Sequence, residues 1–251
     1  MILRTSATAL MLAFSLAPAV QAQDWTGAYG GIQIGSARSN DKGIFLLDPL
    51  PPGGALETAF SPTMALPDRG FSGDFDIGAV GGVHFGYDMQ VGNLVYGGVL
   101  DLNRADFGDV QEGRSRTPAT YTIGRSMDFL ATLRGRGGYL ISAKTLIYGT
   151  AGLAFGEVDF SYAQPGSGAT TVTSGGQNSN IGYAVRLGIE NMLTDKLSVG
   201  LEYLYVNMGG NDFNANLTGG PFSAAAASTN ATGSDADFDF GTVQLRVSYR
   251  F

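Results

Sequence analysis

His84 is the only histidine in the chain, and Asp88 follows four residues later. In an extended segment the two share a face, because successive side chains alternate sides. Hydrolytic chemistry on a Ser-His-Asp plan also needs a nucleophile within hydrogen-bond reach, and spacing assigns none to this pair. His84 therefore reads as a structural residue, and the chain as a non-enzyme. A second candidate is Ser234-Asp235-Ala236-Asp237-Phe238-Asp239. Its three carboxylates alternate and could offer hard oxygen ligands to a divalent cation. No glycine-turned calcium loop accompanies them, so a solvated acidic rim is the expectation. The absence of cysteine excludes thiolate metal sites and disulfides. No phosphate-cradling loop or dinucleotide fingerprint occurs, and no cofactor is expected. The sequons at Asn216 and Asn230 carry no functional weight here.

The remaining ionisable residues form a different kind of constellation. Arg134, Arg136, Arg186 and Arg246 fall on the same parity of extended segments as Asp76, Asp101, Asp128, Glu190 and Glu202. If these segments surround one space, lone charges there are costly, and Arg–carboxylate pairs are expected. The chain as a whole is acidic, with 22 acidic against 15 basic residues and a net charge of -7. Nucleic-acid binding, which wants a basic face, is not expected.

What must position these charges is a set of strands. The final segment sets Val243, Leu245, Val247, Tyr249 and Phe251 against Thr242, Gln244, Arg246, Ser248 and Arg250. The same two-residue period places Leu197 to Tyr205 against Ser198, Gly200 and Glu202, and Ile181 to Ile189 against Arg186 and Glu190. It sets Met127, Phe129, Ala131 and Leu133 against Asp128, Thr132, Arg134 and Arg136. Leu94 to Leu102 oppose Asp101 and Asn103, and Phe75 to Tyr87 oppose Asp76, His84 and Asp88. With weaker segments near 26–37 and 146–162, the total is eight strands.

Connections alternate strictly between tight and long. The tight ones fall near 89–93, 142–145 and 194–196; the long ones span roughly 38–73, 105–124, 163–179 and 208–236. In an antiparallel barrel this gathers every long loop at one end, the asymmetry of outer-membrane barrels. One strand face is aliphatic and aromatic while the other carries charges and many of the 38 glycines, which fits a crowded polar interior and a lipid-facing exterior. Tyr203, Tyr205, Tyr249, Phe251, Phe85, Tyr87 and Tyr139 suit interface girdles. The fold expected is all-β: an eight-stranded antiparallel transmembrane β-barrel with a polar interior, His84 lying near its periplasmic end. Such a lumen is narrow enough to be filled by side chains; a structural plug and a narrow charged pore both remain open.

The N-terminus has secretory features: Arg4, an apolar stretch from Ala7 to Leu16, and a small-residue site at Val20-Gln21-Ala22. Residues 1–22 are expected to be a signal peptide, leaving a barrel domain at 23–251.

Several stretches resemble alphaproteobacterial porin-like outer-membrane proteins, the outer-membrane immunogenic protein family built on an OmpA-type eight-stranded barrel. They are Asp-Trp-Thr-Gly-Ala-Tyr-Gly-Gly at 24–31, Arg-Gly-Arg-Gly-Gly-Tyr at 134–139, Tyr-Gly-Thr-Ala-Gly-Leu-Ala-Phe-Gly at 148–156 and Gly-Ile-Glu at 188–190. Leu-Ser-Val-Gly-Leu-Glu-Tyr-Leu-Tyr-Val at 197–206 and Val-Ser-Tyr-Arg-Phe at 247–251 complete the set. The long first loop departs from the pattern. The resemblance implies export to the outer membrane, and surroundings of lipid and lipopolysaccharide. It also implies assembly by the barrel-assembly machinery, which reads a C-terminal signal ending in Tyr249 and Phe251. A structural, surface-exposed envelope role, with outside partners at the long loops, is the expectation; a small porin is the alternative, and a barrel enzyme a more distant one.

Overall fold

Eight long strands close into an antiparallel ring in a computed structural model that describes residues 24–38, 45–48, 70–75, 77–114, 120–164, 170–173, 180–210, 214–217, 229–233 and 237–251. In chain order the strands are β1 (Gly27–Arg38), β2 (Phe45–Asp48), β3 (Gly70–Phe75), β4 (Gly78–Val91), β5 (Leu94–Arg114), β6 (Thr120–Ser142) and β7 (Thr145–Ala163). They continue with β8 (Thr170–Thr173), β9 (Ile181–Met192), β10 (Leu197–Gly210), β11 (Asn214–Leu217), β12 (Thr229–Gly233) and β13 (Asp237–Arg250). The wall runs β1-β4-β5-β6-β7-β9-β10-β13, and β13 pairs back onto β1 from Tyr29↔Arg250 to Arg38↔Gly241. All eight expected segments lie in this wall. Closure leaves no unpaired edge in lipid, where unsatisfied backbone groups are costly.

The lower wall is apolar outside. Its outward residues include Ile32, Phe85, Leu100, Leu133, Leu153, Leu187, Leu201 and Leu245, all exposed. No outward position of the wall from Leu94 to Leu102, or from Phe129 to Tyr139, is charged. Tyr87, Tyr96, Tyr249 and Phe251 are exposed toward the short-turn end, and Phe129, Tyr183 and Tyr203 toward the other. Tyr87, Tyr249, Phe251 and Tyr203 of the expected girdles stand in these two belts.

Above this band the polarity inverts. Arg104, Asp106, Ser126, Asp128, Glu157 and Asp159 point outward and are exposed. Phe107, Met127, Val158, Phe238 and Phe240 point inward and are buried. The upper barrel is thus built like a water-soluble one, apolar within and charged without. β-Bulges mark the change, with register shifts between Arg104 and Phe107 and between Met127 and Leu130. One extra residue in a strand re-aims the side chains that follow.

This inversion corrects two expectations. The stretch expected to loop at 105–124 is mostly strand: β5 and β6 stay paired from Phe107↔Met127 to Arg114↔Thr120. Those eight paired positions carry the hairpin roughly 25 Å past the bulge at ~3.4 Å per residue. Met127 and Asp128 also exchange faces, because at the bulge both Asp128 and Phe129 point outward. The other long connections contribute short strands. β3 extends the wall beside β5, while β2, β12, β11 and β8 form a separate four-stranded sheet drawn from three connections.

Candidate functional site in the barrel lumen

The lumen is layered. Nearest the short turns, which face the periplasm in barrels of this kind, Trp25, Val95, Leu140, Leu146, Tyr148 and Met192 form a buried apolar cluster. The Arg250 guanidinium stands 5.2 Å from the Trp25 ring and donates to the Trp25 carbonyl. Arg250 also meets Asp88 at 3.1 Å, and Asp88 lies 3.6 Å from Arg136. Arg136 pairs with Glu190 at 2.5 Å, stacks 4.0 Å from the Tyr148 ring centre and donates to Tyr29 Oη at 3.1 Å. Glu190 also accepts the Ser198 hydroxyl at 2.5 Å.

The central layer is an ion-pair cluster. Asp101 meets Arg134 at 2.5 Å and Arg186 at 2.6 Å, with Arg246 at 3.9 Å. Glu202 meets Arg186 at 2.6 Å and Arg246 at 3.0 Å, and accepts the Tyr148 hydroxyl. Arg134 donates to Thr150 Oγ1 at 2.9 Å and to Thr132. Below the upper apolar layer, five buried arginines (134, 136, 186, 246, 250) face four buried carboxylates (88, 101, 190, 202) among the described residues. Burying such charges is tolerable only when each is paired and hydrogen-bonded.

Beside this cluster a directional hydrogen-bond chain crosses four strands. Gln33 Nε2 donates to Asn103 Oδ1 at 2.6 Å, and Gln33 Oε1 faces His84 Nδ1 at 2.9 Å. That amide oxygen only accepts, so the ring proton sits on Nδ1. Nε2 is left to accept from the Ser248 hydroxyl at 2.9 Å. A serine touches the histidine after all, but the orienting group is an amide rather than a carboxylate. Ser248 is buried inside the lumen, with Asp88 committed to arginine. His84 stands mid-barrel, opposite Asp101 and Gly31, not near the periplasmic end.

Two inward glycines make room for the rings of this interior. A Cβ on Gly86 would sit 2.3 Å from Tyr29 Cζ, and one on Gly188 2.7 Å from Tyr148 Cζ. Those tyrosines lie flat across the neighbouring strand because nothing projects there.

Above the charges lies a second apolar layer. Ala37, Val80, Ala105, Phe107, Met127, Leu130, Ala154, Val158, Ala184, Leu204, Val206, Met208, Phe238 and Phe240 form one buried cluster. Every wall strand supplies at least one of them. Phe107 meets Phe240 edge-on at 4.5 Å between ring centres. Higher still, Arg125 holds Asp109 through two hydrogen bonds, of 2.8 and 2.7 Å.

Of the charges assigned to the lumen by parity, Asp101, Arg134, Arg186, Glu202 and Arg246 are there in one ion-paired group, and Arg136 and Glu190 in a second. Asp128 is not: it is exposed on the outer wall, for the bulge reason given above. Asp76 lies outside the described residues, as do Ser234, Asp235 and Ala236. Among the described residues no group of carboxylates is set out for a cation; Asn207 donates to Asp237 at 3.2 Å and Tyr205 to Asp239 at 2.5 Å. Tyr249 and Phe251 are exposed on the outer surface at the periplasmic end. Asp88 and Arg250 were missing from the expected network, although their parity with His84 and Arg246 was visible. Asn103 shared the parity of Asp101, while Tyr29, Tyr148 and Gln33 gave no such signal, since a neutral group does not announce its partners.

Comparison with known proteins agrees with this geometry. The chain is 32% identical over 206 residues to the 22 kDa outer membrane protein of Rhizobium leguminosarum bv. viciae, covering 81% of this chain and 82% of that one. It is 28% identical over 190 residues to the 31 kDa outer-membrane immunogenic protein of Brucella melitensis biotype 1, covering 74% and 72%. The crystal structure of the outer membrane protein OprG from Pseudomonas aeruginosa shares the fold, with a TM-score of 0.54 at 16% identity over 92% of this chain and 99% of that one. The family model of the outer membrane protein beta-barrel domain matches residues 6–251. The chain belongs to that family and is an integral β-barrel protein of the bacterial outer membrane.

Proposed function

We propose that this protein is a non-conducting outer-membrane barrel that holds a raised, surface-exposed structure in the cell envelope. The carrying observation is the lumen: paired charges at its centre, with an apolar cluster on either side. The extension of β5 and β6 past the apolar band, with a charged exterior, supports display beyond the membrane surface. The outer-membrane immunogenic relative is in keeping with exposure to outside partners at the long connections. In this reading residues 1–22 are a signal removed after Ala22. The barrel-assembly machinery takes hold of the exposed Tyr249 and Phe251, and lipid and lipopolysaccharide surround the apolar band.

A narrow porin is the second reading. The five-to-four excess of arginine over carboxylate favours it only in the form of a weakly anion-preferring pore. The experiment is single-channel recording of the refolded chain, 23–251, in a planar lipid bilayer. A folded and silent protein supports the sealed barrel. Reproducible current steps that change when Arg134 or Glu202 is neutralised would replace it with the porin.

A further inference from the structure

We propose that the barrier to water and ions in this lumen is the upper apolar layer, acting as a dewetted plug, and not the ion-pair cluster beneath it. The proposal rests on the sealed-barrel reading and says which residues do the sealing. Charged groups in a narrow space hold water, whereas a constriction lined only by hydrocarbon expels it and blocks ions without filling every gap. Here the hydrocarbon ring is complete. β1 gives Ala37, β4 Val80, β5 Ala105 and Phe107, and β6 Met127 and Leu130; β7 gives Ala154 and Val158, β9 Ala184, β10 Leu204, Val206 and Met208, and β13 Phe238 and Phe240.

The packing is of large against small. Phe107, Phe238 and Phe240 meet at centroid separations of 4.5 to 6.4 Å, and four alanines on four other positions of the ring make room for them. Phe107 and Phe240 form the edge-on pair in this group. Removing those two rings takes bulk from the plug while leaving every lumen charge in place. Neutralising Arg134 or Glu202 does the reverse, disturbing the charges under an intact plug.

The chain has no cysteine, so one introduced thiol reports access without background. Thr242 is fully buried, two residues below Phe240, and pairs with Leu204 across the strands. We expect Thr242→Cys in the otherwise unaltered barrel, folded into lipid vesicles with its long-connection end outward, to react with a sulfonatoethyl methanethiosulfonate reagent added outside about 100-fold or more slowly than Ser126→Cys on the outer wall, as for a site reached only by rare opening. Adding Phe107→Ala and Phe240→Ala should bring the Thr242→Cys rate to within about tenfold of that control and give current steps in a planar bilayer.

Fast labelling of Thr242→Cys beneath the intact plug overturns the proposal. So does a shaved barrel that folds, shown by a boiling-dependent gel shift, but stays unlabelled and silent. If the shaved variant does not fold, the single-cysteine rate in the intact barrel decides alone. Current through the unaltered protein would sink the sealed-barrel reading itself. A silent barrel in which Thr242→Cys labels fast would leave that reading standing and remove only the plug.

Discussion

Asp101→Asn is the sharpest perturbation of the lumen. The two side chains are nearly the same size, so packing is preserved while one charge is lost. In the central layer three guanidiniums, of Arg134, Arg186 and Arg246, surround Asp101, and Glu202, paired with Arg186 and Arg246, is the second carboxylate. After the substitution, three positive groups divide one negative charge in a fully buried site. Breaking a buried ion pair by removing one partner costs about 3–5 kcal/mol, a large part of the roughly 5–15 kcal/mol typical of a folded domain. Arg134→Leu acts in the opposite sense. It leaves two guanidiniums facing two carboxylates, with Asp101 still held by Arg186, and forfeits its own contact with Asp101 and the hydrogen bonds to Thr132 and Thr150, for about 1–2 kcal/mol in a layer whose charges then balance. The double variant should therefore be more stable than Asp101→Asn alone. Urea unfolding of the refolded barrel in phospholipid vesicles measures all three, with the fluorescence of Trp25, the chain's only tryptophan and fully buried, as the reporter. If Asp101→Asn costs under about 1 kcal/mol, or no more than Arg134→Leu, the charges are screened by water. The picture of a tightly paired, mutually compensated cluster is then wrong.

The boundary between lipid and water along the wall can be mapped by arginine substitution. Leu245→Arg, in the middle of the apolar band and 56% exposed, should cost about 2–4 kcal/mol. Ser126→Arg, above the polarity inversion, should leave vesicle unfolding within ~0.5 kcal/mol of the unaltered protein. Gly86→Ala places a methyl 2.3 Å from the Tyr29 ring, whereas Gly137→Ala meets nothing within 4 Å; only the former should lose the folded band on a detergent gel. His84→Ala strands the Gln33 amide and the Ser248 hydroxyl, and should lower stability by about 1–3 kcal/mol in the same urea assay.

The wall of this barrel was legible in the sequence because its signal is a contrast repeated eight times. Leu, Val and Ile on one parity against Arg, Asp and Glu on the other fixed both the strands and the inward face. Where lipid gives way to water the contrast reverses, and an alternation rule with one sign reads the reversed part as loop. That is why 105–114 escaped; Met127 and Asp128 were placed on each other's side because the bulge at Asp128 and Phe129 shifts the parity of β6. The upper apolar layer went unseen because of the reversal: Phe238 and Phe240 alternate with Asp237 and Asp239 just as an outward face does lower down. Within the lumen, parity assigned residues to the interior but not to partners. Which arginine meets which carboxylate depends on stagger around the ring, and no single strand encodes it.

The seam between β1 and β13 has a consequence for how the protein comes into being. Its contacts join the first wall strand to the last: Arg250 donates to the Trp25 carbonyl across 225 positions, and the Phe251 amide reaches the Ala28 carbonyl. Closure therefore waits on β13, the last of the eight wall strands in chain order. A chain cut short before β13 would carry two open edges and a half-compensated interior, at home in neither lipid nor water. Synthesis of the wall is in effect proofread by geometry, since only a chain that includes β13 has the strand that turns a sheet into a cylinder.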